Sequence, residues 1–192
     1  NEKIVFNGKE NNIKSKKQKI KFFNYISYKI INKKNNQNIN NLINHIKNEE
    51  RCRLSKSISL KIDQLKLLKQ NPYISIGSHS VTHANLSILN NLELKEELIQ
   101  SKKKLEEIIE EKIDNFAFPY GTNNEVTVRE FKETKKIGYQ CSVTTSNKII
   151  KKNTNLFSLP RIGIDNSFND KNILGVFSKF NYKLKNIYNH IK

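Results

Sequence analysis

Between residues 73 and 164 the chain alternates short β-branched or aromatic runs with longer amphipathic segments, and that alternation restricts the fold more than any other feature. "YISIGS" (73–78), "NFAFPYG" (115–121), "YQCSVTT" (139–145) and "LFSLPRIGI" (156–164) read as strands, the second stopping at Pro119 and Gly121. A helix is expected over about 90–112: Leu94, Leu98, Leu105, Ile108 and Ile109 recur at helical spacing, and Asn90 with Glu93 offers a capping box. Thr122 and Glu125 offer the same start to a second helix, with Val128, Phe131 and Ile137 facing inward and Gly138 as its stop. This order gives parallel βαβ units with right-handed crossovers, an α/β fold. In such sheets and barrels the functional loops gather beyond the carboxyl ends of the strands. Both unusual turns, "GSHSVTH" and "FPYGT", fall there, so they are expected to be neighbours in space.

The rest of the chain is less patterned. Residues 1–57 form a basic, Lys- and Asn-rich segment or insertion of the same domain, and 58–192 the main domain. "KFFNYISYKIIN" (21–32) reads as an amphipathic helix packing on that domain, with a basic helix at a membrane surface as the sharper alternative. A helix at about 60–70 would place Leu60, Leu65 and Leu68 on one face, and another is expected from about 170 to the end.

The formal charge of +17 raises nucleic acid as a partner, but the lysines converge on no nucleic-acid-binding motif. They come with abundant Asn and Ile across the whole chain, so no nucleic-acid partner is expected. Cys52 and Cys141 are far apart and make neither a C-x-x-C nor a disulfide framework. No apolar run approaches a membrane span, and the start at Asn1 is read as the continuation of something longer.

The chemistry concentrates in the two turns. His79 ends a strand and His83 follows four residues later, so both imidazoles can point to one spot above the sheet. Neutral imidazole is the commonest nitrogen ligand of zinc, and catalytic zinc sites use three protein ligands and one open position. Ser78, Ser80 and Thr82 supply hydroxyls able to fix the loop. The nearest acids, Asp63 and Glu93, stand at no convincing position for the third ligand.

"IGSHSVTHANLS", the helix after it, "FAFPYG" and "GYQCSVTT" together resemble the NodB-homology polysaccharide deacetylases, the carbohydrate esterases of family four. The family's H-[ST]-x-x-H motif matches His79, Ser80 and His83, and its R-x-P-Y motif falls on Ala117, Phe118, Pro119 and Tyr120. "LKIDQLKLL" also looks like the helix that precedes the His motif in many members, and the resemblance covers about residues 58–165. It implies a distorted (β/α) barrel, here incomplete, with parallel strands and outer helices. It also implies Zn2+, or another divalent transition metal, held by two His and one Asp, with a second Asp as general base for water attack on an N-acetyl group. By the resemblance His79 and His83 are metal ligands, the Tyr120 backbone N–H stabilises the oxyanion, and Phe118, Pro119 and Tyr120 meet the sugar. The substrate class is an N-acetylated polysaccharide or oligosaccharide, and the location the cell envelope or exterior.

The departures carry their own expectations. The family's acidic pair lies on a first strand, yet no Asp precedes Asp63 here, and Ala117 replaces the motif arginine. Arg161, in "LPRIGI", is the candidate to take over that arginine's place, with an ion pair to Asp165 as the alternative. His190 has the spacing of the family's late histidine but sits in a lysine-rich terminal segment and reads as a surface residue. The expectation is therefore a metal-dependent N-deacetylase inactive as this chain alone, or else a catalytically dead module of the same fold holding an anionic glycan on a basic surface.

Overall fold

The computed structural model describes residues 3–6, 9–32 and 57–163. A hairpin of β1 (Lys3–Phe6) and β2 (Lys9–Asn12) leads into α1 (Lys16–Asn32), and later come α2 (Ile62–Lys69) and α3 (Asn91–Ile109). They are followed by β3 (Asn115–Ala117), α4 (Val128–Lys136) and β4 (Cys141–Val143).

β3 and β4 pair in parallel, with Phe116 opposite Ser142. Ser78 bridges to Phe116 on one side and Leu159 to Val143 on the other, both in parallel. The chain thus passes four times in one direction, with α3 and α4 as the returns, which is the winding expected from the alternation. The two outer strands are shorter than expected, each reduced to a single bridge. Tyr73 and Ile74 are exposed, so the start of "YISIGS" buries nothing that would hold a ladder. On the far side Asn155 accepts the Phe157 N–H (3.0 Å) and coils Leu156–Ser158 into a 3-10 turn, and Pro160 has no N–H to donate.

α3 is the main strut under the site. Its capping box forms as read: Asn90 Oδ1 accepts the N–H groups of Leu92 and Glu93 (both 3.0 Å) while Glu93 accepts the Asn90 N–H (3.0 Å). Leu94, Leu98, Ser101 and Ile109 are buried, with Leu105 and Ile108 packed at the margin. The helix ends where Glu110 turns left-handed (φ 57°). Beyond it the Glu106 carboxylate accepts the Ile113 N–H (3.0 Å); that bond, against some desolvation and helped by Lys102, holds its pKa below the ordinary value.

Three expectations need correction. Thr122 and Glu125 close a turn and not a helix; α4 starts five residues later on a second Thr-x-x-Glu, Thr127 and Glu130. The later box wins because Val126 must first enter the core, and because the Glu130 carboxylate, fully buried, accepts the Thr127 N–H (2.6 Å), the Thr127 hydroxyl (2.8 Å) and Arg129 Nε (2.6 Å). Val128 consequently sits in the first turn facing solvent, whereas Phe131 and Ile137 pack inward and Gly138 (φ 94°) stops the helix. Leu60 precedes α2 and is exposed; Leu65 and Leu68 alone face inward.

α1 forms over the expected stretch and begins earlier, where Ser15 Oγ and Gln18 exchange bonds with each other's backbone. None of its residues is fully buried, and it meets the body where Asn85 Nδ2 donates to Ile31 O (3.0 Å). No helix among the described residues is long and apolar enough to cross a membrane. The expected terminal helix, Cys52, Asp165 and His190 lie outside the described residues.

The core is centred on Leu94, Leu98, Ile113, Phe116, Phe118 and Tyr139. The Tyr139 hydroxyl donates to Leu98 O (3.0 Å), and burial pushes its pKa up despite hydrogen bonds from Ser101 and Ser78. Folded pKa above unfolded means that this phenol costs nothing while both states stay protonated. Stability is then lost as pH rises above about 10, because the unfolded chain ionises first. Melting curves taken from pH 8 upward should show that loss, and Tyr139→Phe should flatten it; an unchanged alkaline slope in the variant would refute the assignment.

Candidate metal centre

The loop after Ser78 carries both imidazoles at the carboxyl end of the parallel sheet, directly beside the turn that follows β3. His79 Nδ1 lies 2.7 Å from Ala117 O. A carbonyl only accepts, so Nδ1 carries the proton, and Nε2 is left with its lone pair outward. Metal-ligating histidines are commonly oriented in this way by a backbone carbonyl. The His83 ring stands edge-on to that of His79 with centroids 4.8 Å apart, and edge-on to Tyr120 at 4.9 Å. The two turns are therefore neighbours, as the topology requires, and both imidazoles are exposed.

Backbone strain marks the same place. Ser80 (φ 67°), His83 (φ 57°) and Tyr120 (φ 59°) are non-glycine residues in the left-handed region, each costing on the order of 1–3 kcal/mol. Two devices hold them. Ser80 Oγ accepts the His83 N–H (3.0 Å), and the Glu97 carboxylate of α3 accepts from Val81 N (2.8 Å), Thr82 N (3.0 Å) and the Thr82 hydroxyl (2.7 Å). Across the site, Thr145 pins the second turn through its hydroxyl to Tyr120 O (2.8 Å) and its N–H to Gly121 O (2.9 Å). Gly121 (φ 66°) is needed there, since a Cβ would stand 3.0 Å from Thr145 N. Among the described residues no acceptor takes the Tyr120 N–H. Burial first, and Glu125 second, push the Tyr120 hydroxyl pKa up, so the ring against His83 is a neutral phenol at neutral pH.

Phe118 and Pro119, expected to meet a sugar, are buried instead. The Phe118 ring is 0% exposed and packs edge-on to Phe116 (5.1 Å) and Phe131 (5.5 Å), since it shares with Phe116 the inward face of a strand of period two. Tyr120 alone of the three reaches the surface of the site. Arg161 lies past the carboxyl end of β4, its Nε donating to Thr144 O (2.7 Å) and its N–H to Ser146 O (3.0 Å). Glu97 was not singled out by sequence reasoning, since it stands a full helix segment away from the histidines.

The histidine pair suits a divalent transition metal in tautomer and proximity. Among the described residues, however, no group of three or more His, Cys, Asp or Glu is placed to hold one. Asp114 is no substitute, because it precedes β3 and so lies at the other end of the strand from Tyr120.

A parallel sheet with helical returns, and an imidazole pair facing a strained backbone turn at its carboxyl end, define an α/β protein with a candidate metal centre. The chain belongs to the polysaccharide deacetylase family, whose model matches residues 14–142. It is 29% identical over 102 residues to YxkH of Bacillus subtilis (strain 168), a protein named as a polysaccharide deacetylase, covering 53% of this chain and 35% of that one. Among solved structures it is similar to a polysaccharide deacetylase from Bacillus cereus (28% identity, TM-score 0.56, 62% of this chain and 37% of that one). It also shares the fold of the Streptococcus pyogenes deacetylase PplD, solved in complex with acetate (24% identity, TM-score 0.59, 66% and 54%). The chain thus spans about a third to about half the length of these relatives.

Proposed function

We propose that this chain carries the histidine half of a metal-dependent polysaccharide N-deacetylase, in an incomplete (β/α) barrel of the NodB-homology type. Residues 1–57 would be a basic helical segment or insertion of the same domain and 58–192 the C-terminal part of the deacetylase domain. The observation that carries the reading is the His79 Nδ1 bond to Ala117 O, which turns Nε2 outward beside His83. In this reading His79 and His83 hold Zn2+ or a similar ion, and such an ion supplies acidified water and polarisation of the acetyl carbonyl when bound. The Tyr120 N–H, held by the pinned turn, donates to the oxygen that gains charge. Arg161, whose terminal nitrogens meet no described acceptor, orients a carboxylate. The substrate is an N-acetylated polysaccharide or oligosaccharide, as the names of the relatives support.

The glycan-binding alternative is weaker on this structure. A groove of about 450 Å³ between α3 and α4 is lined by Lys95, Lys102, Lys103 and Lys136, but with Glu106 and Glu133 in it. Lys102 pairs with Glu106 (3.0 Å) and Lys136 with Glu133 (3.7 Å), so two of the four lysines already have carboxylate partners.

The described donor set holds two imidazoles and no carboxylate, so the 192-residue chain by itself is expected to be inactive. Absence of a positioned base alone typically costs about 10²–10⁴-fold. The test is acetate release from N-acetylglucosamine oligomers with zinc supplied, by this chain and by the same chain carrying an Asp-Asp strand ahead of residue 1. Turnover by the extended chain, abolished by chelator and by His79→Ala, is the expected result. Robust turnover by the 192-residue chain would place one of its own carboxylates in the site and overturn the inactivity.

A further inference from the structure

We propose that Glu97 is a positioning residue for the metal-binding loop: its carboxylate sets the path of residues 80–83 and thereby the separation and aim of the two imidazoles. The proposal rests on the reading of His79 and His83 as ligands.

The residues between the histidines make few bonds of their own. Ser80 and His83 are both left-handed, and the Ser80 hydroxyl is spent on the His83 N–H (3.0 Å). Val81 is half exposed. What holds Val81 and Thr82 is one side chain of α3. Glu97 Oε2 accepts both backbone N–H groups, at 2.8 and 3.0 Å, and Oε1 accepts the Thr82 hydroxyl at 2.7 Å. Bonds to an ionised acceptor are roughly twice as strong as neutral ones, and these three converge on one carboxylate.

Glu97 is in turn fixed by its helix, whose next residue, Leu98, is fully buried and whose start is tied by the Asn90 capping box. The carboxylate therefore ties the two residues between the left-handed Ser80 and His83 to the core helix, adding to the bond from the His83 N–H to Ser80 Oγ. It is consumed by these bonds, so it acts on the metal through the loop and not as a ligand.

The test uses the 192-residue chain, with cobalt titrated by visible absorption and amide exchange read at Val81 and Thr82. Glu97→Ala should weaken cobalt binding by about 10–100-fold, the range seen when a group orienting metal ligands is removed. It should also accelerate exchange at both amides while exchange at Leu98 and Phe116 stays slow. Glu97→Gln keeps an acceptor for the two N–H groups and should recover most of both. Glu107→Ala, on the same helix and paired with Lys103 (3.8 Å), should change neither.

Unchanged cobalt affinity in Glu97→Ala, against a wild type that binds through His83, would overturn the proposal. So would a loss in which Glu97→Gln fails equally and exchange rises throughout the core, since that is a merely structural role. A wild type that binds no cobalt through His83 would sink the metal reading instead; exchange at Val81 and Thr82 then decides the loop claim, which unchanged rates in Glu97→Ala would overturn.

Discussion

Replacing His83 by alanine is expected to remove specific cobalt or zinc binding from this chain, with a loss larger than the ~10–100-fold that changes around a metal's ligands produce. The expectation follows from the donor count. Among the described residues two imidazoles stand edge-on beside one another and no group of three or more donors forms there, so each supplies half of the available ligand set. Loss of either leaves a single monodentate donor, which specifies no geometry. His79→Ala should match His83→Ala, because the first removes the oriented Nε2 and the second its partner at 4.8 Å between ring centroids. The chain contains four histidines, and the other two, His45 and His190, serve as controls whose replacement should leave the affinity unchanged. Equal binding by His83→Ala and the wild type, in a competition titration with zinc, would reject the site.

How much of this was legible beforehand depended on whether the information was local. The βαβ order, the cap at Asn90 and the stop at Gly138 are carried by neighbouring residues, and all three stand in the structure. The adjacency of the two turns followed from topology alone. Where two local signals competed, sequence could not choose: Thr122 with Glu125 and Thr127 with Glu130 offer the same box, and the winner is decided by the burial of Val126 and Glu130. The outer strands shrank because β propensity without burial does not hold a ladder, as exposed Tyr73 shows.

The site was half legible for the same reason. Imidazoles four apart advertise themselves, but the left-handed conformations of Ser80, His83 and Tyr120 have no signature, since none is glycine. Glu97 was invisible because its bonds run from a side chain to backbone N–H groups, which every sequence possesses. The reading of Phe118 as a sugar contact erred on a point of pleat. Motif neighbours alternate faces along an extended segment, so the residue two before Tyr120 need not share its surroundings. In this chain it points into the core.

That difference yields the other large effect. Phe118→Ala is expected to destabilise the protein by about 3–5 kcal/mol, the range for deleting a buried phenylalanine. Its ring is fully enclosed and packs between Phe116 and Phe131, so it joins the strand layer to α4. The surroundings cannot easily collapse onto the space it would leave. On one side the Phe118 backbone is tied to Val143 O (3.1 Å), and on the other Pro119 and left-handed Gly121 fix the chain. A loss of that size is a large fraction of the ~5–15 kcal/mol that holds a typical domain folded. The cavity would also lie directly beneath the turn that presents Tyr120, so binding at the site should fall together with stability. Urea unfolding gives the measurement: a lower midpoint for Phe118→Ala with little change in slope. Val128→Ala, removing an exposed side chain from α4, should stay within about 0.5 kcal/mol of the wild type. A Phe118→Ala variant as stable as the wild type would return the ring to the surface, where only a ligand contact could explain it.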